Sequence, residues 1–378
     1  MRSIALLTAF VLLSITPAQA QGTVETAAKQ AIIIDYDTGT VLMEKNADAR
    51  MPTSSMSKVM TIYMVFDALK AGNVQMGDTF LVSEKAWRKG GSKMFVEVNK
   101  RVAVEDLIRG VIVQSGNDAT IVLAEGLSGT EDAFAYAMTA KAKELGMESS
   151  NFTNASGWPD PLHYSTARDL ATLGKRIIKD FPEYYSIYSE KEFTYNKISQ
   201  NNRNPLLFRN MGADGIKTGH TEDGGYGLIG SGVSPEGRRV VLVVNGLTSE
   251  AERAQESARL LEWALQGFSN KSAFTAGQNV IEAQVAYGKQ DVVPLQVQND
   301  VVLTLPKISS TDLTVEAVYN SPLIAPIAKG DQVGTLHVSI PGREQVQEIP
   351  LLAAQDVKAQ GFFAKTIAKA KQFFAGAA

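Results

Sequence analysis

The 378-residue chain has no cysteine, only three histidines (His163, His220 and His337) and no marked excess of either charge, with 37 Lys and Arg against 40 Asp and Glu. Without cysteine there can be no disulfide framework, thiolate zinc site, iron–sulfur ligation or cysteine nucleophile. With so few histidines, a histidine-based metal centre would need nearly all of them at one place, and no H-E-x-x-H spacing is present; no metal and no cofactor are expected. The balance is slightly acidic, at a formal net charge of -3, so no nucleic-acid partner is expected. No internal repeat or low-complexity segment occurs. The composition, 44% hydrophobic and 20% charged, is that of a globular protein long enough for two or three domains.

The first twenty residues read as a secretory signal peptide: Arg2 supplies a positive start, Ile4 to Ile15 an apolar run of 12, and Ala18-Gln19-Ala20 a small-residue cleavage site. The run is short for a membrane span. Export is therefore expected, and in a chain without disulfides stability must come from core size. Residues 21–269 form the next segment. It opens with QAIIIDYDTGTVLMEK, a hairpin around Asp37-Thr38-Gly39. Apolar residues then recur at three- and four-residue steps from Ser54 to Lys70, a helix expected to be mostly buried. Residues 100 to 180 read as largely helical. Segments 224–233 and 238–247 read as adjacent strands, followed by a helix from about Ser249 to Phe268. Strands at both ends around helices give an α+β order.

Helical periodicity ends near Asn270. Short β-rich segments separated by Pro, Gly and Asn-Asp turns then predict an all-β module over 270–354. The tail, 355–378, reads as an amphipathic helix: Phe362, Phe363, Ile367, Ala370, Phe373 and Phe374 fall on one arc of about 140°, with Lys358, Lys365, Lys369 and Lys371 outside it. A basic amphipathic helix suggests binding to a membrane surface. Packing of the aromatic face on its own module is the alternative.

Three short motifs carry chemistry. In Ser55-Met56-Ser57-Lys58, residues three apart share a helix face, so the Lys58 amine can reach the Ser55 hydroxyl and serve as its base if burial or nearby positive charge favours the neutral amine. Ser115-Gly116-Asn117 sets a hydroxyl and an amide two residues apart, suited to relaying a proton and holding a carbonyl. Lys217-Thr218-Gly219, followed by His220, would on an edge strand present a cation and a hydroxyl to a substrate carboxylate. Each motif alone is weak: the first also suits a helix N-terminus, the others turns.

In this order, S-x-x-K, then S-x-N 60 residues on, then K-T-G 102 beyond, in an exported chain, resembles the serine penicilloyl-transferase superfamily of penicillin-binding proteins and serine β-lactamases. PTSSMSKVMT, VQSGNDATIVLAE, GSKMF at 91–95, TNASGWPDPLHYSTARDLA and DGIKTGHTEDGGYGLIGSG narrow the resemblance to the low-molecular-mass D-alanyl-D-alanine carboxypeptidases. The β module and the tail fit the same family. The resemblance implies a transpeptidase-like domain, an antiparallel sheet flanked by helices with a helical subdomain. It implies a Ser55 acyl-enzyme on peptidoglycan stem peptides, with Lys58 accepting the proton. Terminal D-alanine leaves with a proton relayed through Ser115 and Lys217, and β-lactams act as covalent inhibitors. Asn117 orients the substrate or Lys58. The backbone amides of Ser55 and His220 form an oxyanion hole, and Lys217, Thr218 and Gly219, with Arg253, face the terminal carboxylate. For Arg253 an ion pair with Glu250 or Glu256 is an equal alternative. The resemblance places the protein at the periplasmic face of the inner membrane. Two competing functions are a serine β-lactamase, against which no E-x-x-L-N lies between the second and third motifs, and a non-catalytic peptidoglycan-binding protein, against which all three motifs are intact.

Overall fold

In the computed structural model, which describes residues 9–11, 24–307, 313–339 and 346–361, the expected hairpin is formed by Gln30–Asp35 (β1) and Val41–Lys45 (β2). They join Ala213–Thr221 (β3), Gly225–Val233 (β4) and Arg239–Leu247 (β5) in a five-stranded antiparallel sheet of order β2-β1-β5-β4-β3. β3 is therefore an edge strand. The unbroken apolar run of β5 has a simple cause: the strand is covered on both faces. Val241 and Val243 join Ile32 and Ile34 in one core, while Val240, Leu242 and Val244 join Ala31 and Ile33 in the other. A two-residue period thus splits one run between two cores.

The smaller core is closed by Glu250–Gly267, the last helix of this unit, through Leu260, Leu261, Ala264 and Leu265. The larger core holds the helical region: α1 (Lys58–Lys70), α2 (Val104–Ile112), α3 (Asn117–Ser128), α4 (Glu131–Glu144) and α5 (Ala167–Asp180). α1 is apolar nearly all round and buries Val59, Met60, Ile62, Tyr63, Val65, Phe66 and Leu69, as a central helix must. Helix is expected from Ser54, but Ser54–Ser57 is a 3-10 turn and the α-helix begins at Lys58. Ser54 has φ +50, outside the helical region, and the tighter turn follows from it. Where β1 ends beside the start of β5, Asp35 and Arg238 form an ion pair of 3.0 Å that is almost wholly buried; the same guanidinium donates to the carbonyls of Ala264 and Leu265.

The chain divides into two units, Thr23–Gly267 and a second one from Phe268 onward that also takes Ala9–Val11. The division falls where the last helix of the first unit gives way directly to strand Phe268–Phe274 (β6), two residues before the expected boundary. The second unit is all-β, as expected. β6 pairs with Val301–Pro306 (β9), while Thr314–Tyr319 (β10), Gln332–Ser339 (β11), Gln347–Ala353 (β12), Val292–Val297 (β8) and Asn279–Ala286 (β7) lie side by side in that order. Alternate residues, among them Val293, Leu295, Val297, Leu336, Val338, Leu351 and Ala353, build its core.

Two expectations meet the structure only in part. Residues 355–361, assigned to the amphipathic helix, are extended: Val357 bridges Ile327, Ala359 bridges Gly288, and Val357 is fully buried in the β core. They complete the β module because their backbone groups are taken by Tyr287, Lys289 and Ile327, between its strands. From Phe362 the expected helix lies outside the described residues. So does most of the expected signal segment, of which Ala9–Val11 pairs antiparallel with β10. Among the described residues no helix is long and apolar enough to cross a membrane.

Candidate active site

The 3-10 turn at the head of α1 sets Ser55 and Lys58 one turn apart. Lys58 Nζ lies 2.6 Å from Ser55 Oγ and donates a second hydrogen bond to the carbonyl of Ser156 at 2.8 Å. Ser55 is partly exposed, whereas Lys58 is fully buried. Burial holds the Lys58 amine well below its usual pKa; Arg203 and Lys89 lower it further, and Asp118 opposes them.

The turn is fixed from three sides. The hydroxyls of Thr53 and Ser57 are hydrogen-bonded to each other, and Ser57 Oγ lies 2.7 Å from His163 Nε2. The backbone N–H of Thr153 donates to His163 Nδ1 at 3.2 Å, which leaves the ring proton on Nε2 to be donated to Ser57. Burial pushes this imidazole down to about 4, so it is neutral at pH 7. Gly157 closes the third side. A β-carbon there would lie 1.8 Å from the carbonyl oxygen of Ser54, and the residue has φ +77.

Ser115 sits between α2 and α3, buried and at φ +58. Asn117 opens α3; its Nδ2 donates to the carbonyl of Gly90 at 2.8 Å, and its backbone N–H to that of Ser92 at 2.8 Å. The next residue, Asp118, accepts from the backbone N–H groups of Met94 at 2.8 Å and Phe95 at 2.9 Å. The segment GSKMF is thereby lashed to the start of α3, where the helix dipole favours the carboxylate.

On β3, Lys217 and Thr218 are buried. Gly219 lets the strand approach the nucleophile turn, since a β-carbon would meet the Thr53 carbonyl at 3.0 Å and Met56 Cγ at 3.1 Å. Burial again holds Lys217 well below its ordinary pKa, with Lys58, Arg203 and Arg253 lowering it further. The two lysines therefore feel each other within one basic site. His220 is exposed, its ring stacked on Tyr226 at 3.9 Å. The guanidinium of Arg253 lies 5.7 Å from the same tyrosine ring; it makes the expected alternative pair with Glu250, at 3.1 Å, yet its Nε is buried without a hydrogen-bond partner. Glu256 pairs with Arg259 instead.

The structure thus joins Ser55 to Lys58 directly, brings Lys217 within electrostatic reach of Lys58, and brings Arg253 within reach of Lys217. Among the described residues no hydrogen bond links the side chain of Ser115 or Lys217 to Ser55; Lys217 Nζ donates to the carbonyl of Thr218 at 3.2 Å. Arg203, Asp118 and His163 act on the site without belonging to any of the three motifs. Asp118 had a readable signal, an acid in the first turn of a helix. Arg203, in Asn-Arg-Asn, had none.

A family model described as D-alanyl-D-alanine carboxypeptidase matches residues 16–249, and one described as penicillin-binding protein 5, C-terminal domain, matches residues 268–359. Over 345 residues the chain is 39% identical to the D-alanyl-D-alanine carboxypeptidase DacA of Haemophilus influenzae, covering 89% of this chain and 87% of that one. The crystal structure of penicillin-binding protein 5 from the same organism superposes with a TM-score of 0.79 at 38% identity, over 91% of this chain and all of the other. Penicillin-binding protein D2 of Listeria monocytogenes in its ampicillin-bound form gives a TM-score of 0.59 at 30% identity, over 64% of this chain and 98% of its own. With a half-exposed serine on a buried lysine, a basic edge strand facing them and both units matched, this chain belongs to the D-alanyl-D-alanine carboxypeptidase family of serine peptidases.

Proposed function

We propose that the protein removes the terminal D-alanine from peptidoglycan stem peptides through an acyl-enzyme on Ser55. The observation that carries this reading is the 2.6 Å contact between Ser55 Oγ and a fully buried Lys58 amine. A neutral amine keeps two protons, one of which goes to the Ser156 carbonyl, and has a lone pair to take the Ser55 proton as the hydroxyl attacks the penultimate carbonyl. The oxyanion that forms is met by the backbone N–H groups of Ser55 and His220, preorganised donors of the kind worth about 3 kcal/mol each. Ser115 and Lys217 return a proton to the leaving D-alanine amine. Asn117 orients the substrate amide, while Lys217, Thr218 and the unpartnered Arg253 Nε hold the terminal carboxylate. Water then cleaves the ester, with Lys58 again as base. β-Lactams enter the same sequence and stop at the slowly hydrolysed ester.

The decisive experiment is mass spectrometry of a stem pentapeptide ending in D-alanyl-D-alanine, incubated with the wild-type and Ser55→Ala proteins. Loss of one alanine with the wild type alone supports the assignment; full activity of Ser55→Ala removes it.

Export and membrane attachment belong to the same reading. They are supported by the apolar run Ile4–Ile15 with its small-residue cleavage site and by the one-sided placement of Phe362, Phe363, Phe373 and Phe374 among lysines. We place the protein at the periplasmic face of the inner membrane, held through residues 362–378. Deleting these residues should release it from membranes with peptide hydrolysis intact; retention in the membrane fraction counts against the anchor.

A further inference from the structure

The reaction proposed above needs the Ser55 hydroxyl and the Lys58 amine to keep their contact through every turnover, and the inference that follows rests on that reading. Neither side chain secures the contact. Lys58 hangs on a flexible four-carbon stem, and Ser55 lies in a 3-10 turn of four residues. What holds them comes from elsewhere in the chain, from the loop 153–163, which meets the head of α1 at four points. The Ala155 carbonyl accepts from Thr61 Oγ1 at 2.6 Å, the Ser156 carbonyl accepts from Lys58, Gly157 lies against the Ser54 carbonyl, and His163 Nε2 donates to Ser57 Oγ. Three of these contacts are made by loop backbone. The fourth is made by a side chain, which can be exchanged without redrawing the loop.

The His163 ring is itself held. It stands edge-on to Phe152 with centroids 5.5 Å apart, and the residue's backbone N–H donates to the Asp160 carbonyl at 2.9 Å. Its two nitrogens have different tasks. Nδ1 accepts from the backbone N–H of Thr153 at 3.2 Å and faces the Thr153 hydroxyl at 3.4 Å, while Nε2 reaches across to the turn at 2.7 Å. Ser57, accepting from the ring, directs its own hydroxyl to Thr53 Oγ1, so two residues tied to each other stand on either side of Ser55. His163, Ser57 and Thr53 are all buried, and none is open to a substrate. A chain of hydrogen bonds kept from water is stiff as well as strong.

We propose that His163 is a positioning residue for the nucleophile: through Ser57 and Thr53 it fixes the turn on which the Ser55 hydroxyl and the Lys58 amine face each other at 2.6 Å. Its contribution lies in the donor at Nε2, not in filling space beside Phe152 and not in tying the loop at Thr153. The ring acts on the rate of acylation and leaves the affinity for what is acylated unchanged.

Side-chain length separates these roles. Glutamine carries an N–H donor as many bonds from the backbone as Nε2, whereas asparagine carries an acceptor only as far out as Nδ1. The full chain and its His163→Gln and His163→Asn variants are mixed with labelled penicillin. The saturating acylation rate constant and the half-saturating concentration are read separately, and the fraction labelled at long times counts folded enzyme. His163→Asn should slow saturated acylation about a hundredfold, as a nucleophile misplaced by about 1 Å does, with half-saturation unchanged. His163→Gln should recover most of that loss, and kcat for release of D-alanine from a stem pentapeptide should follow the same order. Ser57→Ala, which removes the acceptor and leaves the ring, should be as slow as His163→Asn; in that background His163→Gln and His163→Asn should no longer differ. Equal rates in wild type and both variants, equal losses in the two variants, or faster acylation of His163→Asn than of His163→Gln overturns the positioning role and leaves the carboxypeptidase standing. A wild type that takes penicillin but releases no D-alanine overturns only the peptidase reading; one that does neither overturns both.

Discussion

The two units bury different things. In the catalytic unit the interior contains Lys58, Lys217, Arg238, Arg253, Asp35, Asp118 and Glu131 beside its apolar core, whereas in the β unit Thr304 is the one buried polar side chain among the described residues. Taking charge out of water costs several kcal/mol per group unless partners replace the water. A fold accumulates such groups where they hold architecture or perform chemistry, and the catalytic unit shows both. Asp35 and Arg238 satisfy each other; Lys58 and Lys217 face further cations. The β unit needs only a dry core.

The contrast can be broken most severely at the nucleophile. Ser55→Ala should lower D-alanine release by about four orders of magnitude or more, and penicillin should no longer add mass to the protein. Next comes the paired charge: Asp35→Ala strands Arg238 in the interior and should cost about 3–5 kcal/mol, read by denaturant unfolding of the catalytic unit. Acid tests the neutral histidine. His163 titrates at about 4 when folded and near 6.5 when unfolded, so only the unfolded state gains a proton between those values. Stability should therefore fall as pH drops from about 6.5 to 4, by up to about 3 kcal/mol, and His163→Gln should flatten that slope. Gly157→Ala presses on the Ser54 carbonyl and should displace the nucleophile, lowering kcat/KM about a hundredfold. The smallest effect sharpens the other side: Thr304→Val removes a hydrogen bond to Asn270 of 2.8 Å, and should cost the β unit about 1 kcal/mol. A loss at Thr304 matching that at Asp35 would show that the two interiors are built alike.

The β unit was legible through its short β-rich segments and the Pro, Gly and Asn-Asp turns between them, and the sheet of the catalytic unit through its apolar runs. Motif spacing named Ser55, Lys58, Ser115, Asn117 and Lys217 before any geometry. What remained hidden depends on contacts distant in sequence. That the Lys58 amine is held below its usual pKa follows from its burial, where it meets the Ser156 carbonyl 98 positions away, and from the charge of Arg203. The 3-10 start of α1 goes with the φ +50 of Ser54, whose carbonyl lies where only a glycine at 157 leaves it room, and no local propensity records that. Residues 355–361 show the converse. Their pattern continues that of the tail, but partners at Ile327 and Gly288 pull them into strand pairing.

Lys217, Arg203 and Arg253, with Glu250 as the carboxylate paired to Arg253, leave a store of mutual repulsion beside the neutral Lys58. Any anion that enters lowers it, and does so only in the folded state, so occupancy adds stability by mass action. Acetate, sulfate or phosphate in a buffer will thus compete with substrate more strongly at low ionic strength. The melting temperature of the catalytic unit becomes a gauge of who occupies the site, readable before any bond is cut.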